Sequence, residues 1–248
     1  MRLSFSRMVA SAVLSFAPLT PTVSAQGTFR VEVTPHLVSN IGDVIAMTYT
    51  VRVVPPTTDS LVGFIVDAPS LVSVGLPGPR ASWLTLSKWR TRAIASWTRL
   101  DVFTGAGDST PPLPMTARGV IGVVPFWAER NAPLDTVVTD LVSDTSAVFD
   151  TLIVVNGMQG TTIGVVPFPA DQSPAALANR LASFVDQVCT LGWIDNHGIC
   201  NSLRVKATTA SGPLGAMLNE LSAQRGKHVS EAAYVLLSEN ARFLLSRL

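Results

Sequence analysis

Two rhythms of apolar residues divide the chain. Over 28–155 the dominant period is two. Phe29, Val31 and Val33 alternate with Arg30, Glu32 and Thr34, and Ile45, Met47, Tyr49, Val51 and Val53 alternate with Ala46, Thr48, Thr50 and Arg52. Successive side chains of a strand point to opposite faces, so this alternation predicts half-buried strands. Turn formers punctuate it at Asn40-Ile41-Gly42-Asp43, Pro55-Pro56, Pro77-Gly78-Pro79, Gly105-Ala106-Gly107-Asp108 and Pro111-Pro112. Further strands are expected at 61–66, 83–89, 93–100, 119–127 and 151–155. Short strands between frequent turns predict an immunoglobulin-like antiparallel β-sandwich. No long stretch of period 3.6 interrupts this half, which argues against an α/β enzyme fold. The segment 135–150 reads as an edge strand or a tether, and 156–172 as a linker that ends in Pro167-Phe168-Pro169.

At Ser173 the rhythm becomes helical. Ser173 suits an N-cap and Pro174 the first helical position. Leu177, Leu181, Phe184, Val185 and Val188 follow on one face, and Gly192 can end that helix. A second helix is expected over 199–210, with Asn201 or Ser202 bonding the free amides of its first turn. A third carries Leu214, Met217, Leu218 and Leu221 and closes at Gly226. Ser230 caps a fourth, with Ala233, Leu236, Leu237, Asn240 and Leu244 as its stripe. The fold class is multi-domain, β then α: the sandwich followed by a small four-helix bundle over 173–248.

The first residues are set apart from this pattern. Arg2 and Arg7 flank the start of an apolar run over 8–19, and Val23-Ser24-Ala25 supplies small residues after it. That is the layout of a secretory signal peptide, 1–25, cleaved after Ala25. A membrane anchor would need about 20 unbroken apolar residues, and Pro18 and Pro21 interrupt this run. Later in the chain 119–127 is too short to span and contains Pro125, so no membrane span is expected after cleavage. The expected location is secreted, periplasmic or on the cell surface.

Composition narrows the function classes. Of 248 residues 47% are hydrophobic and 14% charged, which excludes disorder over most of the length. A formal charge of +1 provides no field for nucleic acid or an anionic membrane. Cys189 and Cys200 are the two cysteines, and in an exported chain such a pair reads first as a disulfide. A zinc site has only His197 nearby and wants four ligands. His36, His197 and His228 form no local metal pair, and Gly-x-Ser-x-Gly is absent. Asp135, Asp140, Asp144 and Asp150 lack the close alternation and bend glycine of a calcium loop. A two-carboxylate glycosidase pair need not be local, so that chemistry stays open.

Trp83, Trp89 and Trp97 are the candidate binding residues. The even spacing of Trp83 and Trp89 places them on one face of a regular strand, and Trp97 joins them across a turn. Arg90, Arg92 and Arg99 lie alongside. Such a row stacks sugar rings or a partner's side chains; the alternative is a sandwich core, where tryptophan buries much apolar area.

Two blocks of the helical half carry a resemblance. The first is Gly192-Trp193-Ile194, Asn196, Gly198-Ile199, Asn201-Ser202-Leu203 and Lys206. The second is Asn219, Gln224, Gly226-Lys227-His228-Val229-Ser230 and Ala232, completed by Leu236-Leu237, Ala241 and Leu244. In this order they resemble the FIMAH domain, a small helical module toward the C-terminus of many secreted bacterial proteins. A longer stretch joins the two blocks in that family; here 208–215 replaces it. The resemblance implies no catalytic activity and an accessory, structural or interaction-bearing role. The reading is a secreted, non-catalytic two-domain bacterial protein with a binding or structural role at the envelope or exterior. Its expected partner is a glycan or an envelope protein, with no cofactor. The alternatives are an extracellular hydrolase on a polymeric substrate and a surface-layer component.

Overall fold

The computed structural model describes residues 29–77, 83–89, 92–99, 104–131, 157–208 and 213–248. The leader 1–25, the segment 135–150 and the strand expected at 151–155 lie outside the described residues. The described strands are β1 (Val31–Ile41), β2 (Val44–Val53), β3 (Leu61–Asp67), β4 (Leu71–Val74), β5 (Trp83–Trp89), β6 (Arg92–Arg99), β7 (Leu113–Arg118), β8 (Val120–Arg130) and β9 (Gly157–Val166). The helices are α1 (Pro174–Thr190), α2 (His197–Ala207), α3 (Leu214–Gln224) and α4 (Glu231–Leu245). Two antiparallel sheets are therefore followed by four helices.

One sheet has the order β1-β2-β7-β4 and the other β5-β6-β3-β8-β9. Ile45, Met47, Tyr49, Val51 and Val53 are all buried, as the alternation along β2 requires. They meet Phe64, Trp97 and Phe126 of the other sheet. Tyr49 lies 5.8 Å from Phe64 and 6.1 Å from Trp97, and Phe64 lies 5.6 Å from Phe126, ring centre to ring centre. The Tyr49 hydroxyl donates to the Ile163 carbonyl at 3.0 Å, so a polar group at the centre of this interior is satisfied.

The chain passes from the first sheet to the second at one residue, Gly119, between β7 and β8. Its φ is +142°, and a Cβ built there would stand 1.9 Å from the Val166 carbonyl oxygen. Only glycine fits both the backbone angle and the close approach.

The expected linker, 156–172, is corrected here. Gly157–Val166 is β9, paired with β8 from Gly157 opposite Glu129 to Val166 opposite Val120. Only 167–173 remains between strand and helix. Its glycines hid the strand: Gly160 lies over the Phe126 ring and Gly164 over the Val124 side chain, so small residues there answer a packing demand. Sequence reasoning also missed β4 and β7, which Pro114 and the brevity of β4 disguise.

The helices are capped largely as expected. Ser173 Oγ accepts from the Ala176 amide at 3.3 Å, and Ser230 Oγ from the Ala233 amide at 3.2 Å. The second helix starts earlier than expected. Asn196, not Asn201 or Ser202, caps it, accepting from the Gly198 and Ile199 amides at 2.9 and 3.2 Å. Gly192 and Gly226 follow α1 and α3 at φ +69° and +72°.

Helices and strands share an interior. Both alternating sets of β8 hold buried residues, with Val124, Phe126 and Ala128 on one and Ile121 and Trp127 on the other. A strand covered on both faces needs a second layer, and α4 packs against β8, β9 and β1. Leu236, Leu237 and Leu244 belong to the same apolar cluster as Ile121, Ile163 and Val165.

Burial pushes the Tyr49 phenol well above its ordinary range. Above about pH 10 the unfolded phenol loses its proton while the folded one keeps it. The native state then binds more protons, so this contribution to stability is complete below about pH 10 and is lost as pH rises beyond it. Tyr49→Phe is expected to cost about 1–3 kcal/mol at neutral pH by leaving the Ile163 carbonyl unpaired. It should also flatten the alkaline fall; urea unfolding at neutral and alkaline pH checks both, and identical slopes in parent and variant would contradict the assignment.

Candidate functional site

The expected tryptophan row is not built as one surface. Trp97 is fully buried, stacks on Phe64 at 6.2 Å and 19°, and donates from Nε1 to the Gly75 carbonyl at 3.0 Å. A side chain enclosed in this way offers no face to a sugar. The core alternative therefore holds for Trp97, and the reason is its register opposite Phe64, both facing the Tyr49 layer. Trp83 is half-buried against the same core, with the Arg99 guanidinium 5.5 Å over its ring. The side chain of Trp89 lies outside the described residues. Pairing of β5 with β6 shifts between Leu86 and Lys88, so regular alternation does not carry from Trp83 to Trp89. Trp127, which sequence reasoning did not single out, lies buried beneath Arg92, whose guanidinium is 4.8 Å from the ring.

In the helical half, most side chains that carry chemistry join one helix to the next. Cys189 of α1 and Cys200 of α2 are disulfide-bonded, with Cα atoms 6.2 Å apart. Beside them Arg204 Nε donates to Asp186 at 2.6 Å. These groups line an open hollow of about 700 Å³ together with Thr190, Asp195 and His197. Lys206 donates to Ser202 Oγ at 2.9 Å and pairs with Glu220, and Ser202 donates to the same carboxylate at 2.9 Å. Through these bonds the trio ties α2 to α3. Arg225 grips Glu231 with two bonds of 2.7 and 2.6 Å, tying α3 to α4. His228 Nδ1 lies 2.7 Å from Asp195 Oδ1, while His36 and His197 are exposed. Among the described residues no cluster of three or more His, Cys, Asp or Glu side chains stands ready for a metal ion.

Another concave feature among the described residues is where α4 meets the strands. A hollow of about 310 Å³ is lined by Asn40, Ile45, Ile121, Phe168, Glu239, Asn240, Arg242 and Phe243, among others. Asn240 sits in the apolar stripe of α4 and is nine-tenths buried. Its Nδ2 donates to the Ile121 carbonyl at 2.9 Å and to the Leu236 carbonyl at 2.8 Å. Asn40 Nδ2 donates to Glu239 at 2.8 Å, and Arg242 pairs with the same carboxylate. Phe168 and Phe243 are 5.9 Å apart, tilted by 35°. Sequence reasoning had Asn240 in the stripe but gave it no role. The usable signal was an amide at a buried position among leucines, which must find hydrogen-bond partners there.

No family model and no curated protein matches the chain. One solved structure to which it is similar is an uncharacterized protein from Nocardia farcinica with an immunoglobulin-like fold. The identity is 14%, the match covers 52% of this chain and 96% of that one, and the TM-score is 0.31. That distance carries nothing about the role of this chain.

Trp97→Ala is expected to lower stability by about 3–5 kcal/mol, as loss of a large enclosed aromatic does. Chemical denaturation followed by circular dichroism reads it. A variant as stable as the parent would contradict the enclosure of this ring.

Proposed function

We propose that this is an exported, non-catalytic bacterial protein with a binding or structural role at the envelope or exterior. In this reading 1–25 is a removable signal peptide. The strands form an immunoglobulin-like sandwich that acts as recognition element or spacer. The helices form a FIMAH-like bundle that acts as an accessory or docking module.

The observation that carries the reading is the Cys189–Cys200 disulfide. Such bonds persist in oxidising compartments and are rare in the cytosol, which agrees with the leader pattern at the start of the chain. Support for a non-catalytic role comes from the use made of the polar side chains. Lys206, Arg204 and Arg225 each pair with a carboxylate of another helix, and His228, between α3 and α4, pairs with Asp195 of the connection between α1 and α2. In the described structure each of these joins one segment to another. No described helix is long and apolar enough to cross a membrane.

Intact mass of the protein recovered from its native host is expected to show a chain beginning at Gln26, with Cys189 linked to Cys200. A retained leader or two alkylatable thiols would contradict export. Replacing both cysteines by serine should lower stability by about 3 kcal/mol, the value for a loop of this size in the chain-entropy model. Denaturant midpoints under non-reducing conditions measure it, and equal midpoints would show that the crosslink does not hold the helices.

A further inference from the structure

We propose that a second copy of this chain pairs antiparallel along β5, joining two five-stranded sheets edge to edge about a two-fold axis at Thr85. The inference goes beyond the reading of an exported protein and does not rest on it.

The two edges of the sandwich differ. At one, β1 and β9 pack on each other, the Val31 amide donates to Met158 Sδ at 3.4 Å, and α4 packs against both strands. At the other, β4 and β5 end their sheets, and among the described residues neither has a strand beyond it. Val72 of β4 and Leu76 just after it are each 55% exposed, and Leu84 and Leu86 of β5 are 48% and 38% exposed. An edge strand presents backbone donors and acceptors to any chain that can match them, and proteins guard such edges with charge, proline, brevity or a bulge. β4 is guarded, being four residues long with a shift in pairing between Leu71 and Ser73. In β5 the single charge is Lys88, and the shift falls between Leu86 and Lys88. Trp83 to Leu86 is left regular and uncharged, with its leucines in solvent.

The identity of the partner follows from the symmetry of the strand itself. Thr85 stands opposite the enclosed Trp97 and so faces the interior, which puts Leu84 and Leu86 on the outer face. Leu84-Thr85-Leu86 reads the same in both directions. With the axis at Thr85, Leu84 of each copy meets Leu86 of the other, and Thr85 meets its own copy on the inner face. Threonine pairs across antiparallel strands are favourable, and the two leucine pairs bury apolar surface that water now covers. An axis at Leu84 or Leu86 would match one leucine with itself and set the other opposite position 82, a serine, or Lys88. Only the axis at Thr85 pairs both leucines with leucines. A two-fold contact uses one patch twice, so that patch must complement itself, and here Lys88 does not face its own copy. β4 packs against β5, so Val72 and Leu76 extend the apolar surface beside the paired strands.

The test uses the full chain without its leader and with its disulfide intact. Sedimentation velocity is recorded from micromolar to millimolar concentration, and the expected result is a reversible equilibrium between monomer and dimer. Two double variants read the register. L84K/L86K sets lysine against lysine at both cross-strand positions, and its dimer dissociation constant is expected to rise about tenfold or more. L84K/L86E sets lysine against glutamate at both positions and is expected to recover most of that loss. Far-ultraviolet circular dichroism checks that each variant keeps the parent fold; should L84K/L86K misfold, Leu84→Lys alone takes its place. A parent chain that stays monomeric throughout would overturn the proposal, as would a dimer that L84K/L86K leaves unchanged. Equal weakening in both double variants would overturn the axis at Thr85.

Discussion

An amide in the apolar stripe of a helix is tolerated only when its hydrogens find acceptors, since an unpaired buried donor costs about 1–3 kcal/mol. Asn240 meets that condition with one bond to its own helix and one to the strand β8. The second bond fixes how α4 lies on the sheets. If α4 turned about its axis, the amide would lose Ile121, and the leucines on either side would leave the apolar cluster they share with Ile163 and Val165. The directional bond sets the register, and the larger non-directional burial supplies most of the adhesion. The candidate hollow is a consequence of the same arrangement, because it is the space left where the helix, β1 and the start of β8 do not close.

The strands provide a firm base for that seam. Tyr49, Phe64, Trp97 and Phe126 interlock between the sheets, and the one hydroxyl among them is satisfied by a backbone carbonyl. Gly119 then carries the chain from one sheet to the other next to Val120 and Ile121, so the residue that makes the crossover also places the carbonyl that Asn240 needs. At the helical end three cross-helix ties and a disulfide hold α1 to α4 in sequence. Among these the half-buried Lys206 pair is worth more than the more exposed Arg204 pair, since water screens the latter.

Periodicity made the order of elements legible. The alternation through β2 and the stripe of α1 are dictated by which face meets the core, and both appear in the chain as they appear in the fold. Capping chemistry was local enough to place Ser173 and Ser230. What escaped was everything that depends on contacts distant in sequence. β9 was hidden because its glycines are chosen by Phe126 and Val124, more than thirty positions upstream. For Trp97 the core was the preferred reading and the platform stayed open, because spacing along one strand says nothing of which sheet lies above it. The seam joins Asn40, Ile121, Phe168 and Asn240, four positions that share no motif. The tie between Lys206, Ser202 and Glu220 gives a physical duty to residues that carried the family resemblance, without assigning them a ligand.

The central claim is that strands and helices are one cooperative body, coupled through α4. Tryptophan emission in a Trp193→Phe background reports on the strand half alone, because the other four tryptophans, at 83, 89, 97 and 127, all lie in strands. Far-ultraviolet circular dichroism at the helix band reports on the helices. Thermal unfolding followed by both signals should give a single shared midpoint. Two separated transitions, with the helices melting while the tryptophans remain enclosed, would contradict the account.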